Sequence, residues 1–266
     1  MAPGDEAGPP REVGAASPEG ARSLRVAGPG DARAAEFTAD LQQLCRAGVA
    51  GLPVDGAVVH LFPGRVIAGV AAASAPSWRR VGELVDTLGE APCVDAARML
   101  RPIMVPDLEL ARHRWPAYAE ALAPHDVAAI FSLPLQVGAV SFGVLDLYAT
   151  TPGELEPSDL ALAMAIAQVA TSVLLTGLRG SHEPGDPYHP LAEHVADLVA
   201  DLDTSLDRAV VHQAQGMVMV LLHVSLDEAL LRMRARAFAL GRTLAELAHG
   251  IVSGVVDPRR WGDGAP

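Results

Sequence analysis

A cluster of glycines and prolines between residues 177 and 190 sets the strongest limit on how this 266-residue chain can fold. The breakers are Gly177, Gly180, Pro184, Gly185, Pro187 and Pro190. Proline removes a backbone donor and glycine weakens any helix that contains it, so no helix is expected to run through this stretch. The sequence therefore predicts two structural units joined by a linker over residues 177–190.

The overall composition favours globular units and argues against binding to nucleic acid by bulk attraction. Half of the residues are hydrophobic, which supplies ample material for buried cores, and only 4% are aromatic. The formal net charge is −12, so the chain as a whole repels phosphate. A nucleic-acid function would therefore need a local basic surface.

The two cysteines and the N-terminal segment predict a cytoplasmic protein. Cys45 and Cys93 stand alone, without a histidine cluster nearby in the sequence, which predicts neither a disulfide framework nor a metal site. Residues 1–33 lack sustained apolar periodicity and a signal-peptide pattern, so we expect a disordered leader. The apolar window 160–178 is long enough for a membrane span, but it is rich in alanine and contains polar residues. We expect a buried helix there and no membrane partner.

The first unit, residues 34–176, predicts an α+β fold in which an antiparallel sheet is covered by helices on one side. Its expected helices are 34–48, 78–88, 115–122 and 157–175, and its expected strands are 57–61, 66–73, 101–105, 128–137 and 141–148. Residues 136–139 are expected to form the turn of the last hairpin.

Two stretches of this unit carry a family resemblance. The segments "GEAPCVDAARMLRPIMVPDL" (89–108) and "IFSLPLQVGAVSFGVLDLYATTPGELEPSDL" (130–160) resemble a GAF domain, with a PAS domain as the alternative of similar layout. The resemblance implies a small-molecule pocket between sheet and helices, lined by Cys93, Asp95, Arg98, Leu133 and Leu135. The ligand is unknown, and the alternative is a domain filled by its own side chains that serves for dimerisation.

The second unit, residues 191–256, begins with a heptad-like pattern. Leu191, Val195, Leu198, Leu202 and Ser205 are spaced by four, three, four and three residues, as in a coiled coil. The pattern lasts for about two heptads, so one amphipathic helix within a monomer remains the alternative. Residues 257–266 are expected to form a tail.

Local capping signals divide residues 206–254 into three helices. The first is expected to end near Leu222. Ser225 precedes two acids and predicts the N-cap of the second helix, and Gly241 predicts its end. Thr243 and Glu246 form a capping-box pattern at the start of the third helix. Three short helices with brief connections predict an all-α bundle.

The residues along these helices resemble an ANTAR domain, the RNA-binding unit of bacterial transcription antitermination regulators. The stretch "QAQGMVM…SLDEALLRMRARA…GRTLAELAHGIV" carries the pattern, although Gln215 stands where many members have lysine and Met233 replaces a leucine. The resemblance implies RNA contacts at Gln213, Ala214, Gln215, Gly216, Met217, Arg234, Arg242 and Thr243.

Charge is compatible with this expectation but does not establish it. Residues 207–252 contain five arginines and four acids, a net +1, which leaves −13 for the rest of the chain. Arginine suits RNA because its planar fork binds phosphate and stacks on bases. The alternative is a solvated face with pairs such as Glu228 and Arg232. Gly216 inside a helix suggests close approach of another helix or of a nucleic-acid backbone, whereas Met217 is expected in the core.

Together these patterns predict a signal-responsive antiterminator that is not an enzyme. The first unit senses or dimerises, and paired C-terminal bundles bind structured leader RNA as a homodimer. The input is left open between a sensor kinase and a small molecule. The alternatives are a DNA-binding regulator and a protein–protein signalling module. No catalytic residue and no metal ligand is expected.

Overall fold

The computed structural model describes residues 29–62, 67–179 and 204–261, with side-chain surroundings for 36–62, 67–176 and 209–261. Residues 1–28 of the expected leader, most of the linker and the heptad segment up to residue 203 lie outside the described residues. The predictions of a disordered leader and of a coiled coil therefore remain predictions.

The N-terminal domain is built from a five-stranded sheet and surrounding helices. In chain order its elements are α1 (Pro29–Gly51), β1 (Gly56–Leu61), β2 (Gly69–Ala73), α2 (Pro76–Leu88), α3 (Pro92–Met99), β3 (Ile103–Val105), α4 (Leu108–Ala111), α5 (Pro116–Leu122), β4 (Ala129–Val137), β5 (Val140–Ala149) and α6 (Pro157–Arg179). Short 3-10 turns flank α5 at 112–114 and 123–125.

The sheet has the strand order β2-β1-β5-β4-β3 and every neighbouring pair is antiparallel. The hairpin between β4 and β5 pairs Val137 with Val140, so its turn consists of Gly138 and Ala139 alone. Gly138 has a φ of 58°, a left-handed conformation that glycine adopts without strain. The expected four-residue turn was too long, since Gln136 and Val137 belong to the strand.

Helices cover both faces of the sheet, which corrects the expectation of a single covered face. One hydrophobic cluster joins the sheet to α1 and α6, and a second joins it to α2, α3 and α5. All six residues of β1 are buried, as are nine of the ten residues of β5. A strand buried on both faces lacks the polar alternation that marks an exposed face, and the sheet is therefore a middle layer.

The two long helices of the first cluster extend further than expected. Helix α1 begins at Pro29, inside the segment that the sequence assigns to the leader, and continues through Gly48 to Gly51. Helix α6 passes through Gly177 and ends at Arg179. A single glycine costs a helix only about 1 kcal/mol, which the packing of a long helix can offset.

Helix α6 is only partly buried. Its residues 157–176 are apolar and long enough to span a membrane, and a third of that window is buried inside the domain. The inward residues include Ala163, Ile166 and Ala170, as expected of a core helix. The outward face is nevertheless apolar too, with Leu162, Met164 and Val169 exposed.

The C-terminal unit is the expected three-helix bundle. It consists of α7 (Thr204–Leu222), α8 (Leu226–Ala239) and α9 (Leu244–Val252). The capping predictions are confirmed. The Ser225 hydroxyl accepts the amide of Glu228, Thr243 and Glu246 form a reciprocal capping box, and Gly241 ends α8 with a φ of 60°.

Part of the expected tail belongs to this bundle. A 3-10 turn covers Pro258–Arg260, and the Asp257 carboxylate accepts the backbone amide of Arg259 at its start. Pro258 is buried, and Trp261 packs against the core of the bundle. The folded unit therefore extends at least five residues beyond the predicted limit of 256.

Candidate nucleic-acid interface and buried polar cluster

The residues expected to contact RNA on α7 divide into buried and exposed positions. Ala214 is fully buried in the core of the bundle, and Met217 packs against that core. Gln213 is exposed and Gly216 is partly exposed. Ala214 is therefore a packing residue, which corrects its expected contact with RNA.

Gln215 connects two helices and does not point to solvent. Its side chain is 5% exposed, its amide nitrogen donates to the Leu226 carbonyl at 2.9 Å, and its amide oxygen lies 3.3 Å from Nδ1 of His212. The amide nitrogen thus binds the first residue of α8, and the amide oxygen contacts a neighbour on α7 itself. The structure assigns Gln215 to the α7–α8 connection, where a lysine would have to replace these contacts.

Gly216 is not required by helix packing within the described residues. A Cβ atom added at Gly216 would meet no atom within 4 Å among the residues that the structure describes. The close approach of another helix, one of the two explanations offered by the sequence, is therefore absent here. The other explanation offered by the sequence, close approach of a nucleic-acid backbone, remains a prediction.

The arginines of α8 have different surroundings. Arg232 pairs with Glu228 at 2.9 Å, as expected of a solvated helix face, whereas Arg236 is exposed. Arg242, just after α8, is also exposed. The hydroxyl of Thr243 accepts the amide of Glu246 in the capping box. Arg242 therefore remains available to a phosphate, while Thr243 already has a structural role.

Arg234 points to the N-terminal domain. Its Nε donates to the carbonyl oxygen of Asp86 on α2 at 3.1 Å, and its guanidinium covers Gly89, which ends that helix. Burial lowers the pKa of Arg234, and the nearby Asp86 opposes this shift. An arginine expected to contact RNA is thus half-buried against the other domain.

A second hydrogen bond joins the same two regions. The backbone amide of Leu244, the first residue of α9, donates to the hydroxyl of Thr87 at 3.0 Å. The first amides of a helix lack partners within the helix, so Thr87 supplies one from another domain. Thr87 is 3% exposed. Helix α2 therefore holds both α8 and the start of α9.

The residues expected to line a ligand pocket do not come together. Leu133 and Leu135 belong to the cluster beneath α1 and α6, whereas Cys93 lies in the cluster beneath α2, α3 and α5. Arg98 is exposed, and Asp95 lies 3.5 Å from Arg114 near the surface. Side chains alternate along a strand, so alternate positions of β4, starting from Ile130, face Cys93 instead. The five residues predicted to line one pocket therefore do not share a site.

A buried polar cluster surrounds Cys93. The ligand-type atoms of His60 on β1, Cys93 on α3 and Asp146 on β5 all lie within 4.8 Å of one another. His60 and Cys93 are fully buried and Asp146 is 1% exposed. In the pairing of β1 with β5, Val58 is opposite Asp146 and His60 is opposite Val144. The histidine and the aspartate are therefore diagonal neighbours on one face of the sheet.

The carboxylate of Asp146 is held in place by two hydroxyl groups. Ser132 on β4 donates to Oδ1 at 2.5 Å, and the Tyr148 hydroxyl donates to Oδ2 at 3.1 Å. The hydroxyl of Tyr148 also lies 3.3 Å from that of Tyr118 on α5, and its ring stacks on Trp78 of α2. Asp146 is therefore positioned by β4 directly and by α2 and α5 through Tyr148.

His60 is the least satisfied member of the cluster. Its Nε2 lies 3.2 Å from Oδ2 of Asp146 without the alignment that a hydrogen bond needs. Neither ring nitrogen has a hydrogen-bond partner among the described residues. Buried polar atoms without partners are rare because each costs about 1–3 kcal/mol.

Burial keeps the neighbouring acids of this cluster protonated. It raises the pKa of the Cys93 thiol well above its usual value, and the Asp146 carboxylate adds to the shift. Burial likewise raises the pKa values of Tyr118 and Tyr148, again with a contribution from Asp146. The site therefore combines one buried carboxylate with neutral thiol and phenol groups.

Sequence reasoning missed His60 and Asp146. The two residues and Cys93 are separated by 33 and 53 positions along the chain, so no spacing motif connects them. The available signal was a histidine and an aspartate inside otherwise apolar strands, in "AVVHL" and "FGVLDLY". Polar residues at such positions are rarely buried without a partner.

Comparison with protein families identifies both units. The family model for the GAF domain matches residues 34–174, and the model for the ANTAR domain matches residues 202–252. No curated protein matches this chain at a significant level.

Several solved structures resemble part of the chain. A GAF domain/HD domain protein from Geobacter sulfurreducens is 14% identical, covers 55% of this chain and 97% of its own, and has a TM-score of 0.45. The blue-light absorbing form of the Thermosynechococcus elongatus PixJ GAF domain is 18% identical, with 56% and 92% covered and a TM-score of 0.41. A type II free methionine-R-sulfoxide reductase from Thermoplasma acidophilum is 12% identical, with 53% and 93% covered and a TM-score of 0.40. These similarities are too weak to carry an argument about function.

Proposed function

Because this chain belongs to the GAF family and carries an ANTAR domain after its GAF domain, we propose that it is a signal-responsive regulator of transcription antitermination. The ANTAR domain binds structured leader RNA, and the GAF domain controls that binding. The protein acts in the cytoplasm and is not an enzyme. Its input is a small molecule or a sensor kinase.

The observation that carries this proposal is the contact of Arg234 with the GAF domain. A residue that the ANTAR resemblance assigns to RNA binding is held by the GAF helix α2, through the Asp86 carbonyl. A phosphate and this carbonyl compete for the same side chain. The contact therefore gives the GAF domain a direct means of lowering the affinity for RNA.

The proposed control is a shift between two populations. In the closed form, which the structure describes, Arg234 and the Leu244 amide bind to α2. In an open form both groups are free to bind RNA or water. An input favours RNA binding only if it binds the open form more tightly than the closed form, by a factor that sets the change in affinity.

Arg242 is the residue with which to test the RNA interface. It is exposed, whereas Arg234 takes part in both proposed states. The full chain should bind a paired-hairpin RNA more tightly than a matched DNA duplex, with an affinity that falls as salt rises. Arg242→Ala should weaken RNA binding uniformly and reduce the salt slope by about one phosphate contact. Arg101→Ala, which removes an exposed arginine of the GAF domain, is the matched control.

The outcomes of this titration separate the remaining functions. Equal or tighter binding to the DNA duplex would indicate a DNA-binding regulator. A folded protein that binds neither nucleic acid would indicate a protein–protein module, provided that a variant in which α2 no longer holds the ANTAR domain also fails to bind. Unchanged RNA affinity of Arg242→Ala would remove that residue from the interface.

The homodimer is proposed to form through α6. Leu162, Met164 and Val169 are 41%, 40% and 49% exposed, so this helix presents an apolar face to solvent. The heptad-like segment follows α6 in the chain, and a parallel coiled coil would bring two copies of α6 together. Analytical ultracentrifugation should show a dimer that Val169→Glu weakens. Leu110→Glu, at an exposed leucine elsewhere, should leave it intact.

A further inference from the structure

We propose that His60, Cys93 and Asp146 form a binding site for one divalent transition-metal ion, with Zn²⁺ as the best match, inside the GAF domain. The ligands would be an imidazole nitrogen, a thiolate sulfur and a carboxylate oxygen. This set is typical of zinc in proteins and excludes Mg²⁺ and Ca²⁺, which prefer oxygen ligands alone.

The spacing of the three side chains fits such a site. Their ligand atoms lie within 4.8 Å of one another. Two ligands of a tetrahedral zinc ion are about 3.3–3.8 Å apart, given bond lengths of about 2.0–2.3 Å. Closing the cluster around an ion therefore needs displacements of about 1 Å, which small side-chain rotations provide.

The unpartnered ring of His60 points to a missing ligand. Both of its nitrogens are fully buried and without a hydrogen bond among the described residues. Metal coordination satisfies a buried imidazole nitrogen as a hydrogen bond would. It also explains why the histidine lies beside Asp146 at 3.2 Å without being aligned for a hydrogen bond.

Hydroxyl groups around the cluster already orient one of the three proposed ligands. Metal-binding carboxylates are commonly oriented by hydrogen bonds from outside the site. Asp146 receives such bonds from Ser132 and Tyr148, and Tyr148 is itself fixed by stacking on Trp78. These contacts leave Oδ2 of Asp146 facing His60.

The charges of the proposed ligands match those of a divalent ion. Binding breaks the S–H bond of Cys93, releases the proton to solvent and forms a metal–sulfur bond, with no change in oxidation state. One thiolate and one carboxylate then neutralise the two charges of the ion. The bound cluster is therefore neutral, which suits a site that is buried on all sides.

A role of this site in signalling would rest on the proposed function. Helix α2 lies directly over His60, since a Cβ atom at Gly82 would lie 3.2 Å from its Cε1. The same helix holds Arg234 and Leu244 through Asp86 and Thr87. Occupancy of the site would thus act on the helix that contacts the ANTAR domain.

The test measures metal directly, so it does not depend on RNA binding. The full chain is purified without chelators from cells grown with added Zn²⁺, and metal content is measured by inductively coupled plasma mass spectrometry. We expect about one ion per chain in the wild type and in Cys45→Ser, the matched control at the other buried cysteine. Cys93→Ser and His60→Gln should lose it, whereas His113→Gln, at an exposed histidine, should keep it.

Cobalt provides a readout that does not depend on the folding of a variant. Wild-type protein produced with Co²⁺ should show a thiolate-to-cobalt charge-transfer band together with the strong visible bands of a four-coordinate ion. Protein without a stoichiometric divalent transition-metal ion would overturn the proposal. Metal retained in both Cys93→Ser and His60→Gln, or a cobalt spectrum without the thiolate band, would also overturn it. If metal binding to this site leaves the RNA affinity unchanged, only the signalling role would be overturned.

Discussion

Replacing Thr87 with valine tests the contact between the two domains from the GAF side. The substitution removes the hydroxyl that accepts the amide of Leu244 at 3.0 Å, while it keeps the branched shape of the side chain. It alters no residue of the ANTAR domain, so the RNA surface itself is preserved. Any change in RNA affinity must then come from the equilibrium between the closed and open forms.

The expected magnitude follows from the burial of this hydrogen bond. Thr87 is 3% exposed and Leu244 is 5% exposed, so in the closed form of the variant the amide would be buried without a partner. Such a loss costs about 1–3 kcal/mol, whereas in the open form water binds the amide. The closed form is thus disfavoured by roughly 5- to 150-fold. RNA affinity should rise by up to this factor.

The assay is a titration of full-length wild type and Thr87→Val with a paired-hairpin RNA at one fixed salt concentration. Hydrogen exchange at the Leu244 amide should become faster in the variant, because its acceptor is gone. Thr171→Val is the matched control, since Thr171 is also buried but bonds within α6 to the Ala167 carbonyl. Equal RNA affinity of Thr87→Val and wild type, with faster exchange at Leu244, would refute the idea that closure limits RNA binding.

Three further predictions follow from the surroundings of single residues. Gln215→Ala should destabilise the bundle by about 1 kcal/mol in urea unfolding without changing RNA affinity, because its side chain is buried between α7 and α8. Weaker RNA binding by the folded variant would instead support the RNA contact expected from the sequence. Burial raises the pKa of Cys45 to about 12 from 9.0, so the thiol stays protonated in the folded state while the unfolded chain ionises above pH 9. Wild type should therefore lose about 2 kcal/mol more stability than Cys45→Ala between pH 8 and 10.5, and equal losses would contradict this. Gly143→Ala should lower the free energy of unfolding by about 1–3 kcal/mol, because its Cβ would meet the carbonyl oxygen of His60. A thermal unfolding temperature equal to that of the wild type would contradict this and would show that β1 and β5 can separate locally.

The sequence alone determined the features that depend on neighbouring residues. The caps at Ser225 and Thr243 and the end of α8 at Gly241 were predicted correctly, because each involves atoms within four positions along the chain. The GAF and ANTAR assignments were likewise carried by contiguous motifs, and the family models confirm them. Helix ends were predicted less accurately, because α6 continues past Gly177, where packing offsets the weakness of a glycine in a helix.

Only the tertiary structure decided which side chains meet. The pairing of β1 with β5 brings His60 beside Asp146, and the alternation of β4 carries Leu133 away from Cys93. The docking of α8 on α2 turns Arg234 from an expected RNA contact into a contact between domains. Strand register and domain docking depend on the summed burial of residues far apart in the chain, so no local pattern in the sequence encodes them.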